Sequence, residues 1–95
     1  MIEPASQERM QALFHQLSNR IRLGIVLFLL EGPANVTQIH EQVGCSQSAA
    51  SHQLAKLKAA NLVKAKAQGK EKHYRLADDH VRDVIKIALA HVRHD

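Results

Sequence analysis

Ninety-five residues with a formal net charge of +4 make one domain, residues 1–95, large enough for a modest core and small enough to profit from a partner subunit. Its aromatic residues are Phe14, Phe28 and Tyr74, so aliphatic side chains must build that core. The longest apolar run, Ile25 to Leu30, is far shorter than the ~20 residues of a membrane-spanning helix, and no charged, apolar leader opens the chain. Its single cysteine, Cys45, excludes an internal disulfide and fits a reducing compartment, so a soluble cytoplasmic protein without a membrane partner is expected.

Met10, Leu13, Phe14 and Leu17 recur at helical spacing and predict a first amphipathic helix from about Ser6 to Leu17. Ser18 or Asn19 can cap a second helix, which runs through Ile21, Ile25, Leu27 and Leu30 and stops before Gly32 and Pro33. A short third helix is predicted from Thr37 to about Val43. Gly44, Cys45 and Ser46 then form a turn, and Ser46 caps a fourth helix from Gln47 to about Ala59. Two short helices about a glycine-containing turn are the helix-turn-helix pattern. Beyond Asn61, a helix stop, two β-capable runs, Leu62 to Ala67 and Glu71 to Leu76, flank Gln68-Gly69-Lys70 and predict a hairpin. Asp78 or Asp79 opens a final helix whose Val84, Ile85, Ile87, Ala88 and Leu89 are available to pack against another helix. The expected fold is mainly α with a small β-hairpin, a winged helix-turn-helix.

Charge is distributed unevenly. Between Ser46 and Arg75 stand seven basic residues against one acid, Glu71, a net of +6, whereas the rest of the chain carries a net of −2. A basic surface confined to one segment is the electrostatic footprint of nucleic-acid binding, although a solvated lysine-rich face gives the same count. The fourth helix begins Q-S-A-A-S-H-Q-L-A-K-L-K: Ala50, Leu54 and Leu57 form a buried stripe, and Gln47, Ser48, Ser51 and His52 stay on the exposed first turns. Glutamine can pair bidentately with adenine and serine serves as donor or acceptor, so these side chains, with Ser46 at the cap, suit base edges in a major groove. The hairpin lysines Lys64, Lys66 and Lys70 would flank the DNA backbone as a wing.

Asp78 and His80 form a D-x-H pair, followed after ten intervening residues by H-x-x-H at His91 and His94. Eleven residues at ~100° each place His80 and His91 on one helical face, about 16 Å apart along the axis. A metal ion holds nitrogen ligands at about 2.0 Å, so one helix cannot bring both ends to one ion. Two antiparallel copies can: Asp78 and His80 of one chain would meet His91 and His94 of the other, giving two equivalent sites of three imidazoles and a carboxylate. The bland alternative is a solvated, polar helix end, since a chain with seven histidines includes some without a role.

S-Q-S-A-A-S-H-Q-L-A-K-L-K with L-V-K-A-K-A-Q-G-K, together with the D-x-H and H-x-x-H pairs, resembles the ArsR/SmtB family of winged-helix repressors, and within it the zinc sensors of the CzrA and SmtB type. The resemblance spans about Met10 to His94. It implies a homodimer joined through the first and last helices, bound to operator DNA when metal-free and released by Zn(II), two ions per dimer, so that zinc efflux or sequestration genes are transcribed. It also assigns His52 to a DNA-facing position, and implies that metal-bound His91 donates its second ring N–H to a main-chain carbonyl at the end of the recognition helix, here that of Asn61. No cysteine lies between Thr37 and Val43, where the arsenic, cadmium and lead sensors carry C-x-C, and Cys45 reads as core. The sequence stops at Asp95, one residue past His94, so the extra ligands that nickel sensors take from chain extensions are not at hand. A closed tetrahedral site favours Zn(II), accepts Co(II) as a surrogate and offers Cu(I) none of its preferred thiolates. His15, His40 and His73 read as surface or boundary residues.

Three rivals remain open at this level. One is a regulator of the same fold that answers cobalt, nickel or a non-metal signal. Another is a zinc hydrolase, disfavoured because four protein ligands fill the shell a catalytic metal keeps open and no general base accompanies them; no small-molecule substrate is expected. A passive zinc store is the third, and it would need neither wing nor recognition helix.

Overall fold

The computed structural model describes residues 1–94 and contains, in order, α1 (Pro4–Leu17), α2 (Arg20–Leu29), α3 (Val36–Val43), α4 (Gln47–Ala59), β1 (Val63–Gln68), β2 (Glu71–Leu76) and α5 (Asp79–Arg93). Local chemistry sets each boundary. Helix α1 begins at Pro4, two residues ahead of the expected Ser6, because proline suits the first turn, where a missing N–H costs nothing. Its last turn closes when the Ser18 hydroxyl donates to the His15 carbonyl at 2.7 Å. Asn19 therefore caps α2, its carboxamide oxygen accepting the Ile21 and Arg22 N–H groups at 3.0 Å each. Helix α3 starts at Val36, one residue ahead of expectation, because Asn35 and Gln38 form a reciprocal capping box. Gly44, at φ 81°, ends α3 in the left-handed conformation, and the Ser46 hydroxyl accepts the Ala49 N–H at 3.0 Å to start α4.

The core lies where α2, α3, α4 and the base of the hairpin meet: Ile25, Leu29, Ile39, Leu54, Leu57 and Val63 are essentially inaccessible. Each such side chain stabilises the fold by ~1.5–3 kcal/mol relative to exposure. Helix α2 is central, with α1, α3, α4 and β2 all packed on it. That position explains a difference from the sequence pattern: its buried residues are Arg22, Ile25, Val26 and Leu29, while Ile21, Leu27 and Leu30 are half-buried. A helix covered on several sides has no single apolar stripe. Gly24 permits the approach of α3, since a Cβ there would lie 3.2 Å from Val43 Cγ1.

Strands β1 and β2 pair antiparallel with Lys64 opposite Arg75, Lys66 opposite His73 and Gln68 opposite Glu71, and Gly69 turns the hairpin at φ 63°. Asn61, at φ 60°, reverses the chain after α4, and the Leu62 N–H returns to the Leu57 carbonyl at 2.9 Å. Ala34 adds a third short strand position, exchanging hydrogen bonds of 3.0 and 2.8 Å with Tyr74. Helix α5 begins at Asp79 with Asp78 as its cap, accepting the Val81 N–H at 2.9 Å, and it buries only Val81 and Ile85 against the protomer. Helix α1 has no fully buried residue, and only Leu13 and Leu17 of its apolar side chains pack, half-buried, against the core. Among the described residues no helix is long and apolar enough to cross a membrane.

Candidate nucleic-acid interface and metal centre

Helix α4 is amphipathic in the way the sequence pattern requires. Ala50, Leu54 and Leu57 are buried, which turns Gln47, Ser48, Ser51 and His52 to the exposed side. The hydroxyl of Ser46 serves the helix itself as its cap and lies 3.3 Å from Ser48 Oγ. On the hairpin the pleat sorts the residues by face: Val63, Ala65, Tyr74 and Leu76 turn toward the core, and Lys64, Lys66 and Arg75 lie together on the outer face. Lys70 stands exposed beside the Gly69 turn. Asn35 Nδ2 donates to Glu71 Oε2 at 2.8 Å, and His73 Nε2 stands 3.7 Å from the same oxygen. The single acid of the basic segment is thereby engaged at the foot of α3, and the hairpin is braced against the helix-turn-helix.

The four proposed metal ligands lie at the two ends of α5. At the N-terminal end Asp78 Oδ1 and His80 Nδ1 are 3.9 Å apart. Two donors on one tetrahedral ion are separated by about 3.3 Å, so this pair needs only a small rotamer adjustment to share an ion. At the other end His91 and His94 are exposed, and His94 closes the helix with its N–H on the His91 carbonyl at 3.2 Å. Among the described residues no three or more potential ligands of one protomer come together. The structure thus joins Asp78 to His80 and keeps them apart from His91 and His94, as a helix of this length must.

Between those two ends the sequence marked Val84 and Ile87 for packing against another helix, but not the groove beside them. With 100° per residue, His80, Val84, Ile87, His91 and His94 fall within about 40° of one line along α5. Val84 and Ile87 on that line are 37% and 69% exposed, although both are large and apolar. Beside it an open apolar groove of 320 Å³ runs between α1, α2 and α5, lined by residues that include Phe14, Leu17, Leu27, Leu89 and Val92. Arg22 was also missed: it is buried, and its guanidinium reaches α1 and α4. An arginine among aliphatic residues in a helical pattern carries no signal of that placement.

Comparison with known proteins agrees with this architecture. The family described as bacterial regulatory protein, arsR family, matches residues 19–65, from the cap of α2 into β1. The HTH-type transcriptional regulator NmtR of Mycobacterium tuberculosis is 38% identical over 78 residues, which cover 82% of this chain and 65% of that protein. A cadmium resistance transcriptional regulatory protein CadC homolog of Staphylococcus aureus is 34% identical over 82 residues, 85% of this chain and 68% of that one. The solution structure of the homodimeric winged helix-turn-helix DNA-binding domain of Mb0332 from Mycobacterium bovis superposes with a TM-score of 0.87 at 27% identity, covering 94% of this chain and 82% of the other. The chain spans just under two thirds of the length of NmtR. With winged-helix architecture and sequence in agreement, the chain belongs to the arsR family of bacterial regulatory proteins, a family of regulators rather than enzymes.

Proposed function

We propose that this chain is a zinc-responsive transcriptional repressor of the cytoplasm, a single domain over residues 1–95 that binds operator DNA as a homodimer when metal-free and leaves it on binding Zn(II). The observation that carries the reading is the line on α5. Val84 and Ile87 lie symmetrically about its midpoint between residues 85 and 86, and His80 and His91 are equidistant from the same point. A two-fold axis there sets Val84 against Ile87 of the second copy and His80 against His91 of the second copy. The exposed apolar seam and the separated ligands are then one arrangement: the seam draws the helices together, and the ligand pairs meet at either end. Helix α1, which has no fully buried residue within the protomer and leaves Met10 and Phe14 exposed, finds its cover in the same interface.

Asp78, His80, His91 and His94 would hold the metal, two ions per dimer, with Co(II) able to substitute. Bound, zinc supplies a tetrahedral anchor for four side chains of two protomers. The protein's own groups do the rest. Asp78 can offer a carboxylate oxygen while its Oδ1 keeps the cap of α5, so ligation and helix start are mechanically joined. His91 uses one ring nitrogen as ligand and leaves the other N–H to donate. That donor is assigned to the Asn61 carbonyl at the end of α4, the acceptor the family resemblance implies. Toward DNA, Gln47, Ser48, Ser51 and His52 read base edges with Ser46 at the helix start, while Lys64, Lys66 and Lys70 meet phosphates. The test is a mobility-shift titration against the DNA upstream of its own gene, with and without zinc, and repeated with cobalt and nickel. Operator affinity unchanged by zinc sinks the zinc assignment, and loss of binding with cobalt or nickel alone replaces it with that metal.

A further inference from the structure

Arg22 is only 7% exposed, and among the described residues no carboxylate lies within ion-pairing distance of it. An unpaired buried cation is costly, so what holds it is informative. Its Nε donates to the Gln16 carbonyl in the last turn of α1 at 2.7 Å, where the negative end of the helix dipole offsets the charge. Its Nη1 donates to Gln53 Oε1 on α4, also at 2.7 Å. Among the described residues that is the one hydrogen bond reaching α4 from another helix. The other contacts of α4 with α2, through Ala50, Leu54 and Leu57, are apolar and non-directional.

We propose that Arg22 is a positioning residue for DNA recognition: through Gln53 it fixes the rotation of the recognition helix relative to α1. Apolar packing holds α4 in place but resists a small turn about its own axis only weakly. A short hydrogen bond from a rigid guanidinium fork resists it strongly. Gln53 directly follows His52, so a turn of α4 at Gln53 swings Ser48, Ser51 and His52 out of register with a base edge. Because the same guanidinium grips α1, the helix placed in the dimer interface, it also relates recognition helix to dimer axis and thereby the two half-sites to each other. This rests on the reading of α4 as the DNA-reading helix.

The experiment compares the parent chain of residues 1–95 with Gln53→Ala, Gln53→Glu and Arg22→Lys. Binding is measured to the operator and to unrelated duplex over a salt series, and α4 orientation relative to α1 and α2 is taken from residual dipolar couplings. Gln53→Ala, at a half-buried position, and Arg22→Lys are expected to lower the operator-to-unrelated affinity ratio about ten-fold with an unchanged salt slope, since the phosphate contacts lie elsewhere. Gln53→Glu keeps the acceptor and retains the parental ratio. A purely structural role would instead weaken binding to both duplexes alike, and that result overturns the proposal. Parental couplings in folded Gln53→Ala overturn it as well, independently of DNA. A parent that does not distinguish operator from unrelated duplex overturns the DNA reading instead, and the couplings still decide whether Arg22 orients α4.

Discussion

If the metal sites are shared between protomers, two inactive variants should repair each other. His80 and His91 are separated by about 16 Å along α5, against the ~4 Å that two donors of one ion can span, so each site would take His80 from one chain and His91 from the other. In a His80→Ala homodimer both sites lose an imidazole, and the same holds for His91→Ala. In the mixed dimer both losses fall in one site. The other keeps Asp78 and His80 of the His91→Ala chain with His91 and His94 of the His80→Ala chain, and is complete. Random reassociation of equal amounts makes about half the dimers mixed, with one intact site each, so the mixture should recover about one quarter of parental capacity. Mixed dimers purified on two tags should recover half. The assay is titration with Co(II), whose tetrahedral complex gives an intense visible absorption, checked by zinc calorimetry. A mixture that forms mixed dimers yet stays metal-silent refutes the shared-site geometry, and so does a His80→Ala homodimer that binds zinc as tightly as the parent.

Replacing Lys64 and Lys66 together by Gln should weaken binding to every duplex and reduce the slope of log affinity against log salt by about two, whereas Gln47→Ala or Ser48→Ala should alter preference between operator variants by ~1–3 kcal/mol; equal salt slopes for the lysine variant and the parent would remove the hairpin from the interface. His91 methylated at its non-ligand ring nitrogen should still bind zinc but lose most of the linkage to DNA, typically ~1–3 kcal/mol and equal in both directions, and a methylated protein released as readily as the parent rules out the Asn61 relay. Acidification should blunt the zinc response, as protons compete for the imidazole nitrogens, a trend visible in operator binding at fixed zinc across a pH series. In denaturant titrations Leu54→Ala, at a site 1% exposed, should cost ~2–5 kcal/mol, while Asn61→Val, forced to φ 60°, should cost ~1–2 kcal/mol and Asn61→Gly should not destabilise.

Much of this molecule is written in short-range chemistry, and that is why it is legible in the chain. Caps at Asn19, Ser46 and Asp78, turns at Gly44 and Gly69, and the helix stop at Asn61 depend on residues no more than a few positions apart. The spacing of Asp78, His80, His91 and His94 on α5 belongs to the same class, because helical pitch alone sets it. Tertiary structure decided what depends on neighbours far along the chain. Which faces of α2 are buried followed from four elements packing around it, and local apolar spacing cannot count them. The Ala34–Tyr74 pairing and the Asn35–Glu71 brace join positions nearly forty residues apart, and no local pattern marks them. Arg22 shows the division most clearly: its sequence neighbourhood reads as an ordinary helical surface, and only the convergence of α1, α2 and α4 turns it into a buried guanidinium with the Gln16 carbonyl on one side and Gln53 of α4 on the other.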